Sequence, residues 1–270
     1  MELVVVTGST RGIGLGLATE LLKRNRGVII NGRSQEAVDK TVAMLKGKFP
    51  DAKIGGFPCD VSKFEEVQGL WDYAKQNFKK VDIWINNAGL MNQHEHTWDL
   101  DPQDLKNIVD VNLLGSMYCC KVAIQGMIKQ GGGHIYNFEG FGSNGRQFHP
   151  YMTPYGSSKS AIRYLTRSLA KEAKDTGVKI GAIAPGIVVT DLLKDPYRNK
   201  PEEWKKAKKI FNILGDSVDT VAPYIADQVL VPRDSGKNIE WLTFGKVLGR
   251  FMKATVKKRD LFANDQLNNA

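Results

Sequence analysis

Short apolar runs alternate with longer amphipathic stretches along most of this chain. Runs at 3–6, 28–31, 53–57, 82–85, 134–138 and 179–183 have the near-continuous apolar character expected of strands buried on both faces. Between them, 14–24, 35–48, 63–78, 104–129 and 155–174 repeat apolar residues at helical spacing. This alternation predicts an α/β fold, a Rossmann-type doubly wound parallel sheet in a single domain. Ligands of such sheets bind beyond the carboxyl ends of the strands.

The rhythm breaks at 195–209, where Pro196 and Pro201 stand among many lysines. This segment reads as an inserted loop and helix at the ligand-binding end, with Trp204 and Phe211 available to cover an apolar ligand. Beyond Asp216 the periodicity weakens. The expected organisation is a nucleotide-binding domain over residues 1–236, with a substrate loop near 190–215, and a basic C-terminal extension over 237–270.

Length and composition then narrow the class. A chain of 270 residues, 42% hydrophobic, suits one sizeable core. No apolar run approaches the roughly 18 residues that a membrane span needs. The first residues enter a strand directly and read as no leader. Three cysteines (Cys59, Cys119 and Cys120) form no disulfide framework and point to a reducing compartment. The expected location is the cytoplasm or, for a plant or algal source, the interior or a membrane surface of a plastid.

The formal charge is +9, and between Lys237 and Arg259 seven basic residues face only Glu240. Such a stretch attracts phosphate, nucleic acid or an anionic membrane, or is simply a solvated face. The vicinal Cys119 and Cys120 read as small core residues of a helix. His94, Glu95 and His96 lack a third ligand position, so no metal site is expected.

The first strand runs into Thr7, Gly8, Ser9, Thr10, Arg11, Gly12, Ile13 and Gly14, and a helix follows. Glycines there let the backbone approach a pyrophosphate, while the helix N-terminus supplies free N–H groups and partial positive charge. The spacing is Gly-x3-Gly-x-Gly. Later come Asn86, Asn87, Ala88 and Gly89 after the fourth strand, Tyr155 and Lys159 four apart, and Pro185-Gly186 after the sixth strand. In this order and at these spacings the chain resembles the short-chain dehydrogenase/reductase family, over residues 2 to about 230.

The second strand ends in Asn31, Gly32, Arg33 and Ser34, where an NAD-preferring protein carries an acid for the ribose hydroxyls. Arg33 and Arg11 would instead suit a 2′-phosphate through bidentate bonds, so NADP(H) is the expected cofactor. The competing reading makes Arg33 a surface charge. The resemblance further implies that Asp60 and Val61 meet the adenine and that Asn86, Ala88 and Gly89 line the cofactor. Ile187, Val188 and Thr190, after Pro185 and Gly186, would hold the nicotinamide carboxamide.

Tyr155 and Lys159 share one helix face. A phenol with an ordinary pKa of about 10 is a poor proton shuttle at neutral pH, and a nearby ammonium is expected to lower it. Tyr155 would then protonate a carbonyl oxygen as hydride arrives at the carbon. By resemblance, Lys159 also binds the nicotinamide ribose, and Asn112 helps hold a water that links the lysine to solvent. The family's serine is missing: Asn137, Phe138, Glu139 and Gly140 put a glycine at its usual position. Ser143 is the expected substitute. Glu139, or no side chain at all, are the alternatives.

Around Gly140 the sequence Gly-Phe-Gly-Ser-Asn-Gly-Arg (140–146), with 82–89, 132–137, 185–193 and 211–216, resembles plant chlorophyll b reductases. That resemblance implies NADPH-dependent reduction of a formyl group on a chlorin ring. Reduction of another aldehyde or ketone is an alternative, and a non-catalytic NADP(H)-binding sensor or scaffold is a third reading, favoured by Gly140 alone. The implied partners are a small carbonyl substrate such as a chlorin pigment, a homodimer or homotetramer built on helices 104–129 and 155–174, and a membrane surface met by the basic C-terminal end. No nucleic acid is expected.

Overall fold

The computed structural model describes residues 2–256 and 258–263. Seven parallel strands form the central sheet in the order β3-β2-β1-β4-β5-β6-β9. These are β1 (Leu3–Val6), β2 (Gly27–Gly32), β3 (Ile54–Pro58), β4 (Ile83–Asn86), β5 (Gly133–Phe138), β6 (Val178–Ala184) and β9 (Asn238–Glu240). Strand order reverses between β1 and β4, so their carboxyl ends open a crevice there.

All four residues of β1 and of β4 are buried, which explains their unbroken apolar sequence. On one face α3 (Phe64–Phe78), α5 (Gly115–Lys129) and α6 (Thr153–Glu172) contribute to a core around Trp71, Trp84, Met127 and Ile135. On the other, α1 (Gly12–Lys23), α2 (Gln35–Lys48) and α9 (Val218–Val229) enclose Leu17, Leu45, Tyr136 and Ile225.

The helix expected over 104–129 is continuous but not uniform. It runs as α4 (Pro102–Ile108), a π-helical segment (Val109–Leu114) and α5. The widened turn falls on Asn112, and such bulges are frequent at functional sites. This run of 28 residues is long and apolar enough to cross a membrane, contrary to the expectation from the sequence. Part of its apolar character belongs to the core, since Cys119, Cys120, Val122, Ala123 and Met127 pack under the sheet.

A second small sheet pairs β7 (Ile187–Val189) with β8 (Gly215–Ser217). It ties off an excursion made of α7 (Asp191–Lys194), a 3-10 turn (Asp195–Tyr197) and α8 (Pro201–Leu214). Trp204 is buried there against Tyr197 and Phe262, with Phe211 packed on the cluster. Trp204 is therefore the core of the excursion and not a cover over a ligand.

The segment read as an extension begins inside the domain, because β9 pairs with β6 and completes the main sheet. The strand is only three residues long, too short for its pattern to register in the sequence. After it, α10 (Phe244–Ala254) packs on α8. The buried Asp216 holds this end down, accepting from Trp241 Nε1 at 2.6 Å, Arg250 Nη2 at 2.6 Å and Arg259 Nη2 at 3.0 Å.

Candidate active site

The crevice between β1 and β4 holds a cleft of about 410 Å3. Its walls come from the turn after β1 (Gly8, Thr10 to Gly14), the end of β2 (Asn31 to Ser34), the β3 exit (Cys59 to Val61) and the β4 exit (Asn87 to Leu90), closed by Thr190 to Leu192. Two glycines set its shape. A Cβ on Gly8, at φ +62°, would lie 2.9 Å from the Ala88 Cα. On Gly14 it would lie 2.4 Å from the Gly8 carbonyl oxygen. Any larger residue would push the turn off the helix N-terminus, where an anion would sit.

The turn is braced from below. Ser9 Oγ donates to the Val6 carbonyl at 2.7 Å and accepts from Asn31 N at 2.9 Å. Asn31 Oδ1 accepts from Gly8 N at 3.1 Å. Asn87 Nδ2 donates to the carbonyls of Thr7 and Gly8.

Several expected cofactor residues therefore act through the scaffold. Ser9 is fully buried and its hydroxyl faces the strands. Asn86 is buried too, donating to Asn137 Oδ1 at 2.7 Å and accepting from Trp84 Nε1 at 2.8 Å. Pro185, Gly186, Ile187 and Val188 are outside the cleft wall: β7 runs behind it and delivers Thr190 instead. A Cβ on Gly12 would lie 3.5 Å from Thr190 Cγ2, so Thr190 faces the glycine turn. Ala37, Leu90, Val111, Asp191 and Leu192 enter the wall without having been expected at the cofactor. Their only signal in the sequence is position at a strand exit or helix start.

Arg11 and Arg33 both line the cleft and both are exposed. Among the described residues neither is paired with an acid. The glycine turn and these guanidiniums fit the pyrophosphate of a nicotinamide dinucleotide.

Tyr155, Lys159 and Ser143 are all buried, gathered where β5 ends and α6 begins. Lys159 Nζ donates to the Phe138 carbonyl at 3.0 Å and lies 5.7 Å from the Tyr155 ring centroid. Asn112 is consumed by its surroundings: Oδ1 accepts from Leu90 N at 2.7 Å, while Nδ2 donates to the Leu90 carbonyl and to Ser158 Oγ. This bonds the β4 exit loop to α6. A Cβ on Gly89 would lie 3.3 Å from Asn112 Oδ1 and 3.7 Å from Lys159 Nζ, which places Lys159 beside the cleft.

Ser143 Oγ accepts from Gly140 N at 2.9 Å and closes a turn over 140–143. Gly140 is also where the Tyr155 hydroxyl arrives, 2.3 Å from the position of a Gly140 Cβ. The phenol thus fills the space that a serine side chain at 140 would need.

The electrostatics depart from the expectation that the lysine lowers the phenol pKa. Burial pushes Tyr155 up to about 12, and burial lowers Lys159 to about 8, against an upward pull from Glu139. The ammonium is turned to the Phe138 carbonyl, so desolvation dominates at the phenol. Glu139 is itself buried, with Arg163 Nη1 at 3.3 Å from its Oε2. Burial raises the Glu139 carboxyl, partly offset by Arg163 and Arg167.

Burial holds the thiols in the same way: Cys59 and Cys120 sit at about 12 and Cys119 well above its ordinary value. They are inert core residues. His94 packs between Tyr151 (4.5 Å between centroids) and Tyr197 (4.6 Å).

A doubly wound sheet with this cleft at its switch point and a buried Tyr–Lys pair beside it belongs to a nicotinamide-dependent oxidoreductase. The chain is a member of the short-chain dehydrogenase family, whose model matches residues 2–201. It is 36% identical over 91% of its length to "Probable chlorophyll(ide) b reductase NYC1, chloroplastic" of Arabidopsis thaliana, of which it covers 51%. It is 37% identical over 89% of its length to "Chlorophyll(ide) b reductase NOL, chloroplastic" of Oryza sativa subsp. japonica, covering 70% of that protein. Among solved structures it resembles "ElxO with NADP Bound", at TM-score 0.79 and 28% identity, covering 92% of this chain and 99% of that one. The chain spans about half the length of the NYC1-type relatives.

Proposed function

We propose that this chain is an NADPH-dependent carbonyl reductase whose substrate is the formyl group of chlorophyll(ide) b, converted to the 7-hydroxymethyl product. The observation that carries the reading is similarity to chlorophyll(ide) b reductases over about nine tenths of the chain, together with an intact Tyr155, Lys159 and Asn112. Arg11 and Arg33 support NADP(H) over NAD(H), because both guanidiniums face the cleft unpaired.

Bound NADPH supplies hydride to the formyl carbon. Tyr155 holds the proton that the carbonyl oxygen receives as it becomes an alkoxide. A phenol near 12 stays protonated at neutral pH, which is the form that reduction requires. Ser143 Oγ and the Tyr155 hydroxyl converge on Gly140, so Ser143 is the group we assign to orient the substrate oxygen. Lys159, held by Phe138 and beside the Gly89 loop, binds ribose and returns a proton toward Tyr155.

A flat macrocycle also finds suitable neighbours. The exposed His96 stacks on the exposed Trp98 at 4.4 Å and meets Tyr151 at 4.8 Å. Tyr151 adjoins the catalytic helix, because Asn92 bonds both the Tyr151 carbonyl and Tyr155 N.

The outward side chains of Val109, Met117, Ile128 and Tyr164 leave apolar surface on the two long helices, in keeping with a homodimer or homotetramer. The deciding experiment mixes the protein with NADPH and chlorophyllide b and follows the pigment absorbance. Turnover of small aldehydes or ketones with none of chlorophyllide b would overturn the substrate assignment. Tight NADPH binding with no turnover of any carbonyl would overturn the enzyme.

A further inference from the structure

We propose that α10 is an in-plane membrane helix that docks the protein on an anionic lipid surface. None of its residues is buried. Phe244, Leu248, Phe251 and Met252 recur at helical spacing, so they form one apolar face, and Val256 continues it. Phe244 is 83% exposed and Met252 62%. Leu248 (53%), Phe251 (43%) and Val256 (91%) are exposed as well.

The polar side of the helix is fixed to the body. Arg250, at 100° per residue, lies opposite the apolar face. Its guanidinium donates to the Leu214 carbonyl at 2.7 Å and to Asp216 at 2.6 Å. Lys246 stacks 3.1 Å over the Trp241 ring. These contacts turn Phe244, Leu248 and Met252 outward.

Charge selects the occupant. Seven basic residues and one acid lie between Lys237 and Arg259. Asp216 engages Arg250 and Arg259, while Lys253 and Lys258 are exposed to solvent. Two copies of this face would bring like charges together, and nucleic acid would leave the apolar side chains uncovered. A helix with a strong apolar face, low overall hydrophobicity and lysines on its polar side is the kind that lies at a bilayer interface. An anionic headgroup layer satisfies both the cations and the apolar face. Because α10 packs on α8, docking would set the excursion beside the active site against the lipid.

The test is flotation of the full chain with phosphatidylcholine vesicles, with and without phosphatidylglycerol. Wild type should float with the anionic vesicles about tenfold more than with the neutral ones, because its exposed lysines are drawn to the negative surface. Leu248→Asp with Met252→Asp should abolish flotation while NADPH binding and Tm stay unchanged. Lys253→Glu with Lys258→Glu changes only exposed lysines and should reduce flotation on anionic vesicles alone. Failure of wild type to float, equal flotation on both vesicles, or flotation indifferent to both double variants would each overturn the proposal. So would a solution dimer that Leu248→Asp dissociates. None of these outcomes depends on which carbonyl the active site reduces.

Discussion

The Tyr155 hydroxyl sits 2.3 Å from where a Cβ on Gly140 would be, closer than any real side-chain contact. Glycine at 140 is thus a condition for the phenol's position. Restoring the family's serine should damage the enzyme. We expect Gly140→Ser to lower kcat at least tenfold and to destabilise the fold by about 1–3 kcal/mol, the usual cost of overpacking. An active, equally stable Gly140→Ser enzyme, measured by NADPH oxidation and urea unfolding, would show that Tyr155 stands elsewhere.

Ser143 accepts from Gly140 N at 2.9 Å, and its own proton is free to reach a substrate oxygen. Ser143→Ala should lower kcat about 10- to 100-fold while leaving NADPH affinity unchanged, the scale of one lost hydrogen bond to developing charge. Retention of near-normal kcat would remove Ser143 from the serine role.

The pH profile should report Lys159 before Tyr155. Below pH 8 both groups keep their protons, since burial lowers the ammonium to about 8 and raises the phenol to about 12. As pH climbs through 8 the lysine loses its charge, and kcat for reduction should fall about tenfold per unit, the slope of one essential proton. The Glu139 carboxylate raises the Lys159 pKa. Glu139→Gln should therefore move this alkaline limb to lower pH. A limb unmoved by Glu139→Gln would separate it from Lys159.

The sheet was legible because its strands are buried on both sides. β1 came out with its observed bounds, and α2 likewise. Short pairing strands were not legible: β7, β8 and β9 have three residues each and are defined by their partners rather than by a pattern. The same logic divides the site. Tyr155, Lys159 and the glycine turn are read from spacing, a local property. That Asn86 and Ser9 brace the strands instead of lining the cleft depends on contacts with Asn137 and Asn31, far away in sequence. The Tyr155 pKa could not be read either, because the lysine's partner is the Phe138 carbonyl.

Arg33 should decide between cofactors. It is exposed on the cleft wall at the end of β2. Arg33→Ala should lower kcat/KM for NADPH about 10- to 100-fold, the loss of charged hydrogen bonds worth about 1.5–3 kcal/mol. The value for NADH should stay within about twofold, because only the 2′-phosphate needs the charge. An unchanged ratio would make Arg33 a surface charge.

The buried Lys159 weakens the fold at neutral pH. Burial takes its pKa from 10.5 to about 8, so at neutral pH the fold holds an ammonium it would rather see discharged. Below about 8 the lysine is protonated both folded and unfolded, and the whole penalty is present. Between about 8 and 10.5 only the unfolded chain keeps the proton, so stability contributed by this group rises with pH across that window. Methionine has similar length and no charge. Lys159→Met should abolish reduction yet stabilise the fold at pH 7 by about 1–3 kcal/mol, each pH unit of that fall being worth about 1.4 kcal/mol and the lost bond to Phe138 offsetting part of it. The gain should shrink as pH rises toward 10, where the wild-type lysine is already neutral. Urea unfolding of both proteins at pH 7 and near pH 10 measures this. A variant less stable than wild type at pH 7 would mean that the bond to the Phe138 carbonyl outweighs the burial of the charge.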